Sequence, residues 1–138
     1  MQEQTQNLWE GIPVIASYSR AQAIEDGVLV DLTPWATEVG FKYPVAITRA
    51  AWVDFIEWPE DKGGRNFLGQ SERGRAHDVL MVLLFTIRAG RSGSQIDFKV
   101  SRIPYQGGRH ARPGWLKSLC GPGDTPEPVI TIMLPDED

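Results

Sequence analysis

Apolar residues recur along this chain with two different periods. Between Ser71 and Ala89, the residues Ala76, Val79, Leu80, Leu83, Leu84 and Ile87 return every three or four positions, the spacing that gathers side chains on one face of an α-helix. Met81, Val82 and Phe85 widen that stripe almost all the way round, and a helix of that kind is normally buried on most sides. The spacing therefore predicts a long core helix with Ser71 as N-cap and Gly90 as stop, Arg73 and Arg75 at its exposed start and Arg88 at its end. From Ile96 the period changes to two. Ile96, Phe98 and Val100 alternate with Asp97, Lys99 and Ser101, which predicts a strand with one wet face. Val129 to Leu134 is apolar or Thr throughout, which suits a strand covered on both faces near the centre of a sheet. Between it and the run Trp115 to Cys120 stand two Gly, three Pro and one Asp, so the chain turns back there in a hairpin with a long loop.

The remaining elements are shorter. Ile12 to Tyr18 reads as a strand after an N-terminal tail, residues 1–11. Ser19 caps a helix that Gly27 closes, Val28 to Leu32 is extended, and Thr33 as N-cap with Pro34 at the first helical position opens a second helix that Gly40 stops. Thr48 caps a third, from about Arg49 to Trp58, with Ala51, Trp52, Phe55 and Ile56 on one face and Pro59 as its end. Glu60 to Gln70 is a Gly-rich loop, RAGRSGSQ a linker, and Tyr105 to Gly114 a glycine-bounded basic loop. Residues 12–138 then form a single α+β domain. It has an antiparallel sheet of about four strands ending in a C-terminal meander, with one long buried helix and shorter helices packed on one face.

Composition leaves this picture intact. A chain of 138 residues with 41% hydrophobic and 23% charged residues can bury a core without staples. Its single cysteine, Cys120, rules out an internal disulfide and a cysteine-based zinc site, which points to a reducing, cytoplasmic setting. The N-terminus has no signal-peptide pattern, and the longest apolar run, Val79 to Phe85, falls far short of the roughly 20 residues that span a bilayer. No membrane partner is expected. Charge is segregated: residues 1–62 hold 10 acids and 4 bases, residues 63–117 hold 3 acids and 10 bases, and residues 118–138 hold 5 acids and no base. Such blocks either present separate acidic and basic surfaces or neutralise one another on folding.

Catalytic signatures are absent. Ser71 and Ser92 lack the G-x-S-x-G elbow, and Pro126 stands where a dinucleotide fingerprint needs its third glycine after Gly121 and Gly123. There is no phosphate loop and no HExxH, and His77 and His110 have no metal-ligand spacing. No catalytic residue, metal or cofactor is expected. Two charged features remain. Asp54, Glu57, Glu60 and Asp61 form an acidic strip suited to docking a basic partner, since a row of carboxylates competes with phosphates for basic grooves. Asp136 to Asp138 adds an acidic end. Arg102, Arg109, Arg112 and Lys117, with His110 between two arginines, make a basic region whose Tyr105 and Trp115 are placed to stack bases. An apolar interface patch is expected around Trp35 or Trp58.

The segments SRAQAIEDGVLVDL, GFKYPVAITRAAW, DVLMVLLFTIR, LCGPGD and PVITIMLPDED, in that order, resemble an uncharacterised bacterial domain-of-unknown-function family found among plasmid- and prophage-borne small proteins. The likeness runs over most of the chain. It implies a whole single domain and a mobile-element context, and it transfers no catalytic pattern. Small proteins from that setting often interfere with host defences such as CRISPR or restriction. The expectation is thus a non-enzymatic interaction protein binding a host protein or protein–nucleic acid complex through the acidic strip. The alternatives are a nucleic-acid binder acting through residues 102–117, and an enzyme using His110 with Arg109 or Arg112 on an anionic substrate.

Overall fold

The computed structural model describes residues 18–59, 69–90, 93–104 and 109–138. The expected strand at Ile12 to Ser17 and the residues 1–11 lie outside them, as do Glu60, Asp61 and Tyr105. Tyr18 is described and belongs to no strand.

Local sequence chemistry sets most boundaries. Helix α1 (Arg20–Glu25) starts where Ser19 Oγ accepts a hydrogen bond from Gln22 N, and Gly27 closes it at φ +80°, a left-handed backbone that glycine adopts at no steric cost. Strand β1 (Leu29–Asp31) leads into α2 (Thr33–Val39), with Pro34 in its first turn and Gly40 at φ +128° after its end. Strand β2 (Val45–Thr48) runs straight into α3 (Arg49–Phe55), whose N-cap Thr48 accepts from Ala51 N. The long helix α4 (Glu72–Arg88) begins at Ser71, whose Oγ accepts from Gly74 N at 3.0 Å. Strands β3 (Gln95–Arg102), β4 (Arg112–Pro122) and β5 (Pro128–Met133) complete the described chain.

The strands form one five-stranded sheet in the order β1-β2-β5-β4-β3. The expected meander is present: β3 pairs antiparallel with β4 and β4 with β5. β5 occupies the centre, as its unbroken apolar run requires. The expectation of an antiparallel sheet of about four strands is corrected by β2, which lies parallel to β5 with Val45 opposite Ile130 and Ile47 opposite Ile132. Because α3 begins immediately after β2, the chain leaves the sheet there and cannot fold back as a hairpin. β2 is covered on both faces, with Val45, Ala46 and Ile47 all buried.

The register puts Phe98, Val100, Leu116, Ile130, Ile132, Val45 and Ile47 on one sheet face, and these residues share a core with Phe55 of α3 and Leu80 and Leu83 of α4. Leu29, Leu119, Val129 and Thr131 lie on the other face and line a groove with Arg20 and Ala23 of α1. Helices therefore sit on both faces, not on one. Arg20 explains the placement: its guanidinium donates to Thr131 Oγ1 and Ile130 O, while Asp124 accepts from the Arg20 and Ala21 backbone N–H groups.

Four further expectations change. The long helix buries one face only, and Phe85 is 57% exposed, because the sheet covers a single side of it. Arg75, expected at an exposed helix start, is buried. α3 ends at Phe55 and not Trp58, with Ile56 N and Glu57 N both donating to Trp52 O. Thr33 does not cap α2, since its Oγ1 is engaged by the Val45 backbone of β2.

Candidate functional site

The ends of α3 and β3 and the start of α4 meet around Arg75. Its Nε donates to Ile56 O at 3.0 Å, just past α3, and its Nη1 to Ile103 O at 2.7 Å, just past β3, and to Gln70 Oε1 at 3.1 Å, just before α4. The guanidinium lies 4.9 Å from the centre of the Trp58 ring, and the residue is only 3% exposed. A planar fork of donors suits this task, since one side chain satisfies three acceptors in fixed directions. Burial first, then the nearby charge of Arg102, pulls the Arg75 pKa down to about 10. It stays a cation at neutral pH.

Arg102, at the end of β3, stands beside it. Its Nη2 donates to Asp54 Oδ1 at 2.7 Å, its Nη1 to Arg112 O at 3.0 Å, and its guanidinium stacks 4.4 Å from the Phe55 ring centre. Gly114 makes this possible: a Cβ there would stand 2.8 Å from Phe55 Cζ and 3.0 Å from Arg102 Nη1. Two buried donor atoms in this cluster, Arg75 Nη2 and Arg102 Nε, have no acceptor. A hollow of about 150 Å³ is lined by both arginines together with Gln70, Asp78 and Ser101.

A second feature lies on the opposite sheet face. Trp115, 54% exposed, sits on β4 opposite Lys99 of β3, whose Nζ is 5.7 Å from the indole centre, within reach of a cation–π attraction. Lys117, two residues on, donates to the Glu137 carbonyl, and the Glu137 carboxylate accepts from Thr48 Oγ1 at 2.7 Å and Leu134 N at 2.8 Å. The C-terminal turn is thereby held against the sheet, and Asp97, Trp115, Lys117 and Pro135 line a hollow of about 400 Å³.

The two charged features predicted from sequence meet. Asp54 of the acidic strip is bonded to Arg102 of the basic region, so neither is presented alone. Glu57 is half-buried. Arg73 and Glu38 also pair across the charge blocks, at 2.5 Å. Of the acidic end, Asp136 and Asp138 are exposed and Glu137 is turned inward. Of the basic region, Arg109, His110 and Arg112 are exposed, and Arg112 to Gly114 belong to β4 and not to a loop. Trp58 is buried and Trp35 half-buried, and the exposed tryptophan among the described residues is Trp115. Among the described residues no group of three or more His, Cys, Asp or Glu is placed to hold a metal, and no helix is long and apolar enough to cross a membrane.

Sequence reasoning passed over Arg75 and Lys99. A signal for Arg75 existed: Arg75, Val79 and Leu83 are spaced by four, which places the arginine on the buried stripe.

The sequence pattern of a family described as "Family of unknown function (DUF6573)" matches residues 5–138. No curated protein and no solved structure matches the chain.

Proposed function

The chain belongs to this family of unknown function, and from its own surface we propose that it is a non-enzymatic interaction protein. Its contact surface is the outer face of β3 and β4 around Trp115, and its target is a macromolecule of the host, within a defence complex. The likeness to plasmid- and prophage-borne proteins supports the choice of target. The observation that carries the contact surface is Trp115 itself, a large aromatic left half uncovered on an open sheet face. Tryptophan is among the residues most enriched where binding energy concentrates, and Lys99 and Lys117 lie on the same sheet face as Trp115.

The acidic strip serves this reading less well, because Asp54 is already neutralised by Arg102. Asp97 lies opposite Lys117 on the Trp115 face, and a carboxylate there opposes a phosphate backbone. A protein surface is therefore favoured over bare nucleic acid as the immediate contact. The second reading, base stacking on Trp115, draws on Lys99 beside the indole.

The test compares two exposed aromatics. Wild type, Trp115→Ala and Phe85→Ala are used as tagged baits against a lysate from a host carrying defence systems, with and without nuclease. A partner that survives nuclease, persists with Phe85→Ala and is lost with Trp115→Ala is the expected result. Retention of nucleic acid alone, lost with Trp115→Ala, moves the function to the second reading. A partner insensitive to Trp115→Ala overturns the surface assignment.

A further inference from the structure

We propose that this chain pairs with a second copy of itself through the free edge of β3, joining two five-stranded sheets into one across a two-fold axis at Phe98. The contact is a strand edge, separate from the Trp115 face, and it stands whether or not that face binds a host protein.

Hydrogen-bond direction supplies the first argument. β3 ends the sheet order and pairs with β4 alone. Extending their register by one residue beyond Gln95 and Leu119 sets Ser94 opposite Cys120, and there Cys120 N donates to Ser94 O at 2.8 Å. Antiparallel pairs alternate between those that exchange hydrogen bonds and those that do not, so Ile96, Phe98, Val100 and Arg102 turn their main-chain groups toward β4. Gln95, Asp97, Lys99 and Ser101 turn theirs away, and among the described residues nothing bonds to them. The next outward carbonyl, that of Ile103, is taken by Arg75 Nη1, which bounds the open row. Edges are normally blunted by a proline, a bulge or short length. Gln95–Arg102 has no proline and keeps an unbroken register with β4 over eight residues, whereas β1 at the other edge is three residues long.

Charge supplies the second, because this edge is its own complement. In a two-fold antiparallel contact, outward residues must oppose outward residues. With Phe98 on the axis, Gln95 faces Ser101 of the second copy and Asp97 faces Lys99, so all four outward residues bond and two opposite-charge pairs form. Moving the axis to Asp97 sets carboxylate against carboxylate, and moving it to Lys99 sets ammonium against ammonium. Opposite charges directly across a ladder stabilise it and like charges destabilise it, so one register is selected. On the core face the same register sets Ile96 against Val100 and Phe98 against Phe98, which are apolar pairs. Trp115 and Lys117 stand beside Lys99 and Asp97 on β4, so pairing lays two Trp115 faces on one continuous surface.

The test reads mass and register together. Sedimentation velocity of the full chain, from micromolar to near-millimolar concentration, should show a species of twice the chain mass that grows with concentration. Asp97→Lys alone and Lys99→Asp alone place like charges opposite one another at both pairs, and each should weaken the dimer roughly tenfold or more. Mixing the two variants, or combining both changes in one chain, restores the opposite-charge pairs and should return the dimer to within severalfold of wild type. Both positions are exposed, and circular dichroism checks that each variant is folded. A chain that stays monomeric throughout leaves this edge to a strand of another protein and overturns the proposal. A dimer indifferent to the single reversals overturns it too, as does one that they weaken and that neither the mixture nor the double change recovers.

Discussion

Replacing Gly114 by alanine tests how the Arg102 cluster is packed. The added Cβ would lie 2.8 Å from Phe55 Cζ and 3.0 Å from Arg102 Nη1, against a carbon–carbon optimum of about 3.5–4.0 Å. Phe55 is 1% exposed and held within the core, so the ring cannot retreat by the required distance without displacing its neighbours. Arg102 can swing outward, but it then leaves the Phe55 face and Asp54. Overpacking costs about 1–3 kcal/mol. The displaced cation–π and ion-pair contacts are worth about 0.5–1 kcal/mol each where partly exposed. Removing a glycine from a strand returns something under about 1 kcal/mol. The net expectation is destabilisation by about 1.5–3 kcal/mol, or a fall in Tm of roughly 5–12 °C for a chain of this size. Chemical and thermal unfolding followed by circular dichroism measure it. Gly121→Ala is the matched control, because it lies on the same strand and a Cβ there meets nothing within 4 Å; it should stay within about 0.5 kcal/mol of wild type. If Gly114→Ala is as mild as Gly121→Ala, the close approach of β4 to Phe55 and Arg102 is wrong. Phe55→Leu should cost less in the Gly114→Ala background than alone, since the ring is the obstacle.

Three other outcomes follow from the same packing. Arg75→Lys should lower stability at neutral pH by about 2–4 kcal/mol, because one ammonium cannot serve three acceptors spread over three elements. Burial depresses the pKa of that lysine below its unfolded value near 10.4, so the unfolded state binds more protons in between and stability must rise with pH there. Urea unfolding of the two proteins should therefore show their difference narrowing above about pH 8, while Arg75 itself, pulled down only to about 10, adds no such rise in wild type at lower pH. Ser71→Ala removes the acceptor for Gly74 N and should cost about 1 kcal/mol by the same assay. Thr48→Val should cost more, roughly 1.5–2.5 kcal/mol, because Thr48 caps α3 and also donates to the Glu137 carboxylate; equal losses would deny the C-terminal turn its anchoring role.

How far the sequence carried depends on the range of the interaction concerned. Helix starts were legible because their chemistry is local: Ser19, Thr48 and Ser71 each accept from a backbone N–H three residues on, and Gly27, Gly40 and Gly90 follow helices at positive φ. The meander and the central place of β5 were legible for a related reason, since strand period and turn residues lie within one continuous stretch, Gln95 to Met133. The site was less legible. Sequence put Asp54 in the acidic strip and Arg102 in the basic region and left open whether the two are presented apart or neutralise one another, and it treated Arg75 as an exposed helix start.

Only the tertiary structure decided the rest. β2 is four residues long, too short for its period to show, and its parallel pairing with β5 joins positions more than 80 residues apart in the chain. The Asp54–Arg102 pair and the three acceptors around Arg75 likewise come from segments brought together by packing alone. Periodicity and capping report what a residue does to its own turn of chain, whereas the charge and donors that meet in a hollow depend on which distant segment arrives to cover it. The sequence by itself determined the helix starts, the long helix and the meander; the strand β2 and its crossing, the pairing of Asp54 with Arg102 and the meeting of two arginines were decided by how those elements pack.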